Sequence, residues 1–264
     1  MEEIRVGGFT VAFERQGTGP PLVLLHGFVG SGREWRRQVD DLSDEFTVVA
    51  WDAPGSGRSS DPPEAFRLAD YADCLAAFIE TVGLARPHVA GLSFGGALAL
   101  ELYRRHPAIP RSLVLASAYA GWAGSLPDEI IEQRLRQTLQ AAGESPAARV
   151  GAMISTMFSG SPPPAAVEAF RDIMLEIHPA GLRAMARSLA EADLRDVLPR
   201  IAVPTLLLYG DSDVRAPLTI ARDLLARIAV SRLAIMPGVG HMSSVEAPER
   251  FNAEVRTFLR SVQT

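Results

Sequence analysis

Six short apolar runs recur along the chain and restrict its fold more than any other feature: PLVLLHG from Pro21, FTVVAWD from Phe46, RPHVAG from Arg86, SLVLAS from Ser112, TLLLYG from Thr205 and RLAIMPG from Arg232. Each is too short for a helix, and most are followed by a segment with helical apolar spacing. Unbroken apolarity over so few residues suits strands covered on both faces. This points to an α/β fold, a mostly parallel sheet flanked by helices. Ahead of these runs, IRVGGFTVAFERQG alternates around Gly7 and Gly8 and predicts an N-terminal β-hairpin.

One interval breaks the alternation. Between SLVLAS and TLLLYG, helical spacing appears in DEIIEQRLRQTLQAAG, PAARVGAMISTMF, AAVEAFRDIMLEI and AGLRAMARSLAEADL, which is more than a single crossover needs. Residues 119–195 are therefore expected to form a helical cap. It would be inserted into a core domain made of residues 1–118 and 196–264, with SGSPPP, from Ser159, as an internal hinge or turn. A chain of 264 residues can bury one such core.

The charge balance excludes several kinds of partner. The formal net charge is −5 and every cationic residue is arginine, so there is no basic field for nucleic acid or an anionic membrane surface. The opening MEEIRVGGFTVAF lacks a cationic stretch followed by an apolar one and does not read as a secretory signal; no apolar run reaches membrane-spanning length. Cys74 is the single cysteine and cannot form an internal disulfide, which suits a reducing cytoplasm. Within LADYADCLAAFIETVGL it reads as a small buried residue of an amphipathic helix.

Chemistry enters at VAGLSFGGALAL, Val89 to Leu100, where one hydroxyl stands among three glycines between a strand-like and a helix-like run. GLSFG matches G-x-S-x-G, and its setting between strand and helix is the one a nucleophile elbow requires. The turn is sharp, so side chains two positions before and after Ser93 would collide with neighbouring chain, and Gly91 and Gly95 remove them. The helix start behind Ser93 supplies amide N–H groups that favour negative charge.

In these features the sequence resembles the α/β-hydrolase fold family, in particular its cap-bearing serine esterase and lactonase branch. HGFVGSGREW, DAPGSGRSSDP, GLSFGG, GDSDVRAP and GVGHMSSVEAPERF occur in the family's order over nearly the whole chain. A nucleophilic serine needs a base, and the base needs a carboxylate to hold its tautomer. His241 follows the last predicted strand. The family pattern places the acid three residues after the glycine of LLLYGDSDVRAP, which selects Asp213 over Asp211. The resemblance implies the order Ser93, Asp213, His241, with His26 shaping the oxyanion loop and Asp52 and Ser59 serving structure. It also implies that the backbone N–H groups of Phe28 and Phe94 form the oxyanion hole.

Trp35, Trp122, Met153, Met157 and Phe158 are candidate substrate-contacting residues, and Met174 and Met185 add to the apolar character of the cap. They suggest an apolar acyl group, and no arginine pair is evident as an anion clamp. The chain is thus expected to hydrolyse a small-molecule carboxylic ester or lactone through an acyl-enzyme, without a metal or organic cofactor. The lactones include acyl-homoserine lactones and enol-lactones. Carbon–carbon bond hydrolysis, perhydrolysis and a slow-turnover ligand receptor stay open on the same fold. Serine at position 93 argues against the dehalogenases and epoxide hydrolases, which normally use aspartate.

Overall fold

The computed structural model describes residues 1–263. Eight strands form one sheet: β1 (Glu2–Val6), β2 (Phe9–Gln16), β3 (Pro21–Leu25), β4 (Thr47–Trp51), β5 (His88–Leu92), β6 (Ser112–Ala116), β7 (Thr205–Gly210) and β8 (Ser231–Met236). Their spatial order is β1-β2-β4-β3-β5-β6-β7-β8. The strands from β3 onward run parallel, whereas β2 lies antiparallel to both β1 and β4. The expected hairpin is present: Val6 pairs with Phe9, and the two residues between them, Gly7 and Gly8, take positive φ values of 55° and 92°.

Strands β4 to β7 are buried along their whole length, as continuous apolarity requires of strands covered on both faces. RLAIMPG departs from that expectation. As β8 it is the edge strand, paired only with β7; Met236 is its only fully buried residue and Ile235 remains 43% exposed. A short apolar run alone does not distinguish an edge from a central position.

The flanking helices are α1 (Arg36–Leu42), α2 (Leu68–Thr81), α3 (Phe94–Arg105), α8 (Leu218–Arg227), the short α9 (Ser243–Glu246) and α10 (Pro248–Gln263). Cys74 is buried on α2, and burial pushes its thiol up to about 11. Four more helices intervene between β6 and β7: α4 (Asp128–Ala141), α5 (Pro146–Met157), α6 (Pro164–Leu175) and α7 (Pro179–Glu191). Helix α4 packs on α7 and α5 on α6; α7 reaches α2 and α3, and α6 reaches α9 and the turn Gly32–Trp35. The segment joining α5 to α6 is stitched to the loop after β8. Met242 N–H donates to the Met157 carbonyl (2.9 Å), and Ser159 N–H donates to the Glu246 carboxylate (3.2 Å).

The chain passes from β3 outward to β4 and then returns to β5 on the other side of β3. This creates a switch point beyond the carboxyl ends of β3 and β5, the position where open α/β sheets form clefts. The pairing of Leu25 with Gly91 aligns those two strand ends.

Candidate active site

Strand β5 ends at Leu92 and α3 begins at Phe94, so Ser93 alone makes the turn. Its φ of 55° and ψ of −109° lie in a region that costs a non-glycine residue about 1–3 kcal/mol. The surroundings hold it there: its N–H donates to the Ala116 carbonyl (2.9 Å), while its own carbonyl accepts from Gly96 (3.0 Å) and Ala97 (3.1 Å). A Cβ on Gly91 would stand 2.1 Å from the Gly95 carbonyl oxygen, and one on Gly95 would stand 2.0 Å from that of Leu25. Both glycines are therefore required by close backbone approach. As a first-turn amide of α3, Phe94 N–H has no carbonyl one turn behind it to bond.

Asp213 lies three residues past the end of β7, and His241 lies five past the end of β8. The two side chains meet in the interior: His241 Nδ1 is 2.9 Å from Asp213 Oδ2, and both residues are almost wholly buried. The other oxygen, Asp213 Oδ1, accepts from the amides of Arg215 (2.8 Å) and Ala216 (2.9 Å). Burial alone would raise the pKa of this carboxyl, but the nearby His241 charge, its hydrogen bond and the Ala216 amide outweigh burial. The net shift is downward. Asp211 points elsewhere; it is exposed and accepts from Gly238 N–H (2.7 Å).

Phe28 sits in the turn closed by Gly30 N–H donating to the Gly27 carbonyl (2.9 Å). His26 braces this loop. Its Nδ1 is 2.7 Å from the Gly27 carbonyl oxygen, and its Nε2 accepts from Ala53 N–H (3.0 Å). A ring that accepts at Nε2 and donates at Nδ1 is neutral, consistent with a pKa lowered by burial. Asp52 holds two further amides, those of Gly32 (2.6 Å) and Arg58 (2.9 Å), and Ser59 Oγ donates to the Asp52 carbonyl (2.6 Å).

Glu34 was not singled out by the sequence motifs. Its carboxyl is buried and accepts from Gly27 N–H at 3.3 Å through Oε2, while Oε1 has no partner among the described residues. Burial raises its pKa from 4.5 to about 8, so at neutral pH it places little negative charge beside the Gly27–Gly30 turn. Between those two values the folded chain retains a proton that the unfolded chain releases. Stability therefore falls as pH rises through that window, by at most about 1.4 kcal/mol per pH unit. Glu34→Gln should flatten this dependence and raise the melting temperature at pH 8 relative to the parent more than at pH 5. Equal pH slopes in thermal denaturation of the two proteins would contradict the burial argument.

The candidate substrate residues scatter. Trp35 is fully buried, with its ring 5.7 Å from that of Phe251 on α10. Phe158 packs edge-on against Phe170 at 5.4 Å; Met157, Met174 and Met185 are likewise buried. Trp122 meets Phe28 edge-on at 6.3 Å, and Met153 lines a cavity of about 380 Å³. The other histidines have separate partners: His88 faces Ser112, His106 faces Asp73 and His178 faces Asp61.

The sequence makes no arginine pair evident as an anion clamp, yet folding brings two arginines to one cavity. Arg134 on α4 and Arg215 in the loop after β7 both line the cavity that Met153 lines. Arg134 donates to the Arg215 carbonyl at 3.0 Å although the two residues are 81 positions apart. Only the folding of α4 over the sheet end brings them together, so no local pattern announces the pair.

Among the described residues no group of three or more acidic, histidine or cysteine side chains could hold a metal ion, and no helix is long and apolar enough to cross a membrane.

A model of the alpha/beta hydrolase fold family matches residues 20–248. The AB hydrolase superfamily protein YisY of Bacillus subtilis is 30% identical, over 96% of each chain. Among solved structures, a thermophilic esterase from Thermogutta terrifontis, with malate bound, has a TM-score of 0.93 at 30% identity and covers 100% of both chains. The enol-lactonase from Burkholderia xenovorans LB400 has a TM-score of 0.90 at 25% identity, covering 98% of this chain and 100% of that one.

Proposed function

The chain belongs to the α/β-hydrolase fold family, and from that premise we propose that it is a serine hydrolase cleaving a carboxylic ester or lactone through a covalent acyl-enzyme. The observation that carries this reading is the buried hydrogen bond between His241 Nδ1 and Asp213 Oδ2, beyond the same sheet edge as the strained Ser93. With Nδ1–H held by the carboxylate, Nε2 is the free base. In this reading Ser93 Oγ attacks the carbonyl while His241 Nε2 takes its proton, and the Phe28 and Phe94 amides receive the oxyanion. His241 then protonates the leaving alcohol, and water repeats the sequence on the acyl-enzyme.

Helices α4 to α7, within residues 119–195, act as the cap over this centre. Met153 and Leu182 line the cavity that Arg215, two residues past Asp213, also lines, and in this reading they offer apolar surface to the acyl chain. The single buried thiol suits a reducing compartment such as the cytoplasm. Esterase and enol-lactonase neighbours at 25–30% identity support the pairing of ester and lactone as substrate classes.

Purified protein should hydrolyse 4-nitrophenyl butyrate and at least one member of a lactone panel, and a fluorophosphonate should label Ser93 alone. A label mapped to another serine, or no turnover across both panels, would remove the support for this reading.

A further inference from the structure

Arg134 and Arg215 stand together on one cavity, and among the described residues neither forms an ion pair with a carboxylate, in contrast to Arg105 on Asp73 or Arg195 on Asp193. A half-buried guanidinium without a counter-ion is unusual, because its charge has lost water without gaining an anion. Here there are two. Arg134 spends two N–H groups on neutral oxygens, the Tyr119 hydroxyl (3.1 Å) and the Arg215 carbonyl (3.0 Å). Arg215 spends one on Thr156 Oγ1 (3.2 Å). Each guanidinium carries five N–H donors, so most of both forks is left for a ligand.

Aromatic rings connect the pair to the proposed reaction centre. The Arg215 guanidinium lies 5.9 Å from the Phe28 ring centroid; the Arg134 guanidinium lies 5.9 Å from the rings of both Tyr119 and Trp122, and Trp122 meets Phe28 edge-on. Arg215 is also two residues past Asp213 and donates its amide to that carboxylate. Asp213 is not a free counter-ion for the guanidinium, since its two oxygens already serve His241 and two amides. The cavity of about 380 Å³ adds Gln137 and Thr138 as neutral polar groups, with Met153 and Leu182 as apolar wall.

We propose that Arg134 and Arg215 together bind a carboxylate carried by the substrate, so that the ester or lactone cleaved bears a second, free carboxylate a short apolar stem away from the scissile carbonyl. Paired planar forks match a carboxylate in bidentate fashion. A singly charged group is favoured over a phosphate dianion because Glu144 also lines the cavity. Burial lowers the pKa of Arg215; the Tyr119 hydroxyl opposes that effect, the Arg134 charge adds to it and Asp213 opposes it. A bound anion would relieve both the burial and the mutual repulsion of the two cations.

This assignment rests on the proposed ester or lactone hydrolysis, and its test separates the two. Rates for 4-nitrophenyl hydrogen glutarate are compared with 4-nitrophenyl butyrate, and rates for 4-carboxyphenyl butyrate with phenyl butyrate, which places the charge on the acyl or the alcohol side. In one of the two pairs kcat/KM should favour the anionic ester by about tenfold or more. That ratio should collapse towards one in Arg134→Gln and Arg215→Gln and be partly restored in Arg134→Lys. A purely structural tie would lower both rates together and leave the ratio in place. Independently, calorimetry on Ser93→Ala should show glutarate binding that either Gln substitution abolishes.

If glutarate binds in that way but no ester is turned over, the carboxylate site stands and the hydrolase reading falls. If Ser93-dependent hydrolysis is found with both ratios near one and no glutarate binding, the carboxylate site is overturned and the hydrolase reading stands. Binding of inorganic phosphate without glutarate would overturn the assignment to a carboxylate.

Discussion

Replacing Asp213 with asparagine is expected to lower kcat for a 4-nitrophenyl ester by on the order of ten-thousandfold, while Asp211→Asn stays within about tenfold of the parent. The expectation follows from the two carboxylates' partners. Asp213 Oδ2 is 2.9 Å from His241 Nδ1, so it can hold the proton there and leave Nε2 as acceptor for the serine proton. An asparagine amide in that position can present its N–H₂ to Nδ1 and stabilise the wrong tautomer. Asp213 Oδ1 also takes the amides of Arg215 and Ala216, and the net downward pKa shift keeps the carboxyl ionised at neutral pH. Asp211 instead tethers Gly238 at the surface, so its replacement loosens a loop without touching the imidazole. Steady-state kinetics on both folded variants decides the matter, and the reverse ranking would move the acid's role to Asp211.

Ser93→Ala should lower kcat by about a thousandfold or more, since the covalent route disappears and only binding and oxyanion stabilisation remain. The fold should survive. Alanine inherits the same φ of 55° and ψ of −109°, so the backbone strain is unchanged, and the amide that anchors the turn on the Ala116 carbonyl is retained. Far-ultraviolet circular dichroism and the melting temperature should therefore match the parent closely. Retention of activity within tenfold, in a preparation free of parent protein, would show that another residue attacks.

Much of the architecture is legible in short stretches because it follows from local rules. The six apolar runs became β3 to β8, and the paired glycines at 7 and 8 supply the positive φ values of a two-residue hairpin turn. Gly91 and Gly95 flank Ser93 because any Cβ there would meet carbonyl oxygens of the turn and of β3. What these patterns did not reveal was position within the sheet. β8 has the same apolar appearance as the central strands yet lies at an edge, since neighbour count is a property of strand order. Trp35 likewise reads as a pocket candidate beside the HGFVG loop, but the side of the sheet it faces is decided by α10, and its ring packs on Phe251.

Beyond the order Ser93, Asp213, His241 that the family resemblance implies, the sequence by itself determined the sharp turn at Ser93 and the α/β class. Those depend on backbone requirements and periodicities that span only a few residues. The tertiary structure alone decided that Glu34 is buried against Gly27 and that Arg134 and Arg215 share a cavity. Each of these is an electrostatic encounter between groups carried by different elements or exposed to different neighbours. The energy of a charge depends on its surroundings after folding, on lost water and gained partners, and a residue's identity records neither.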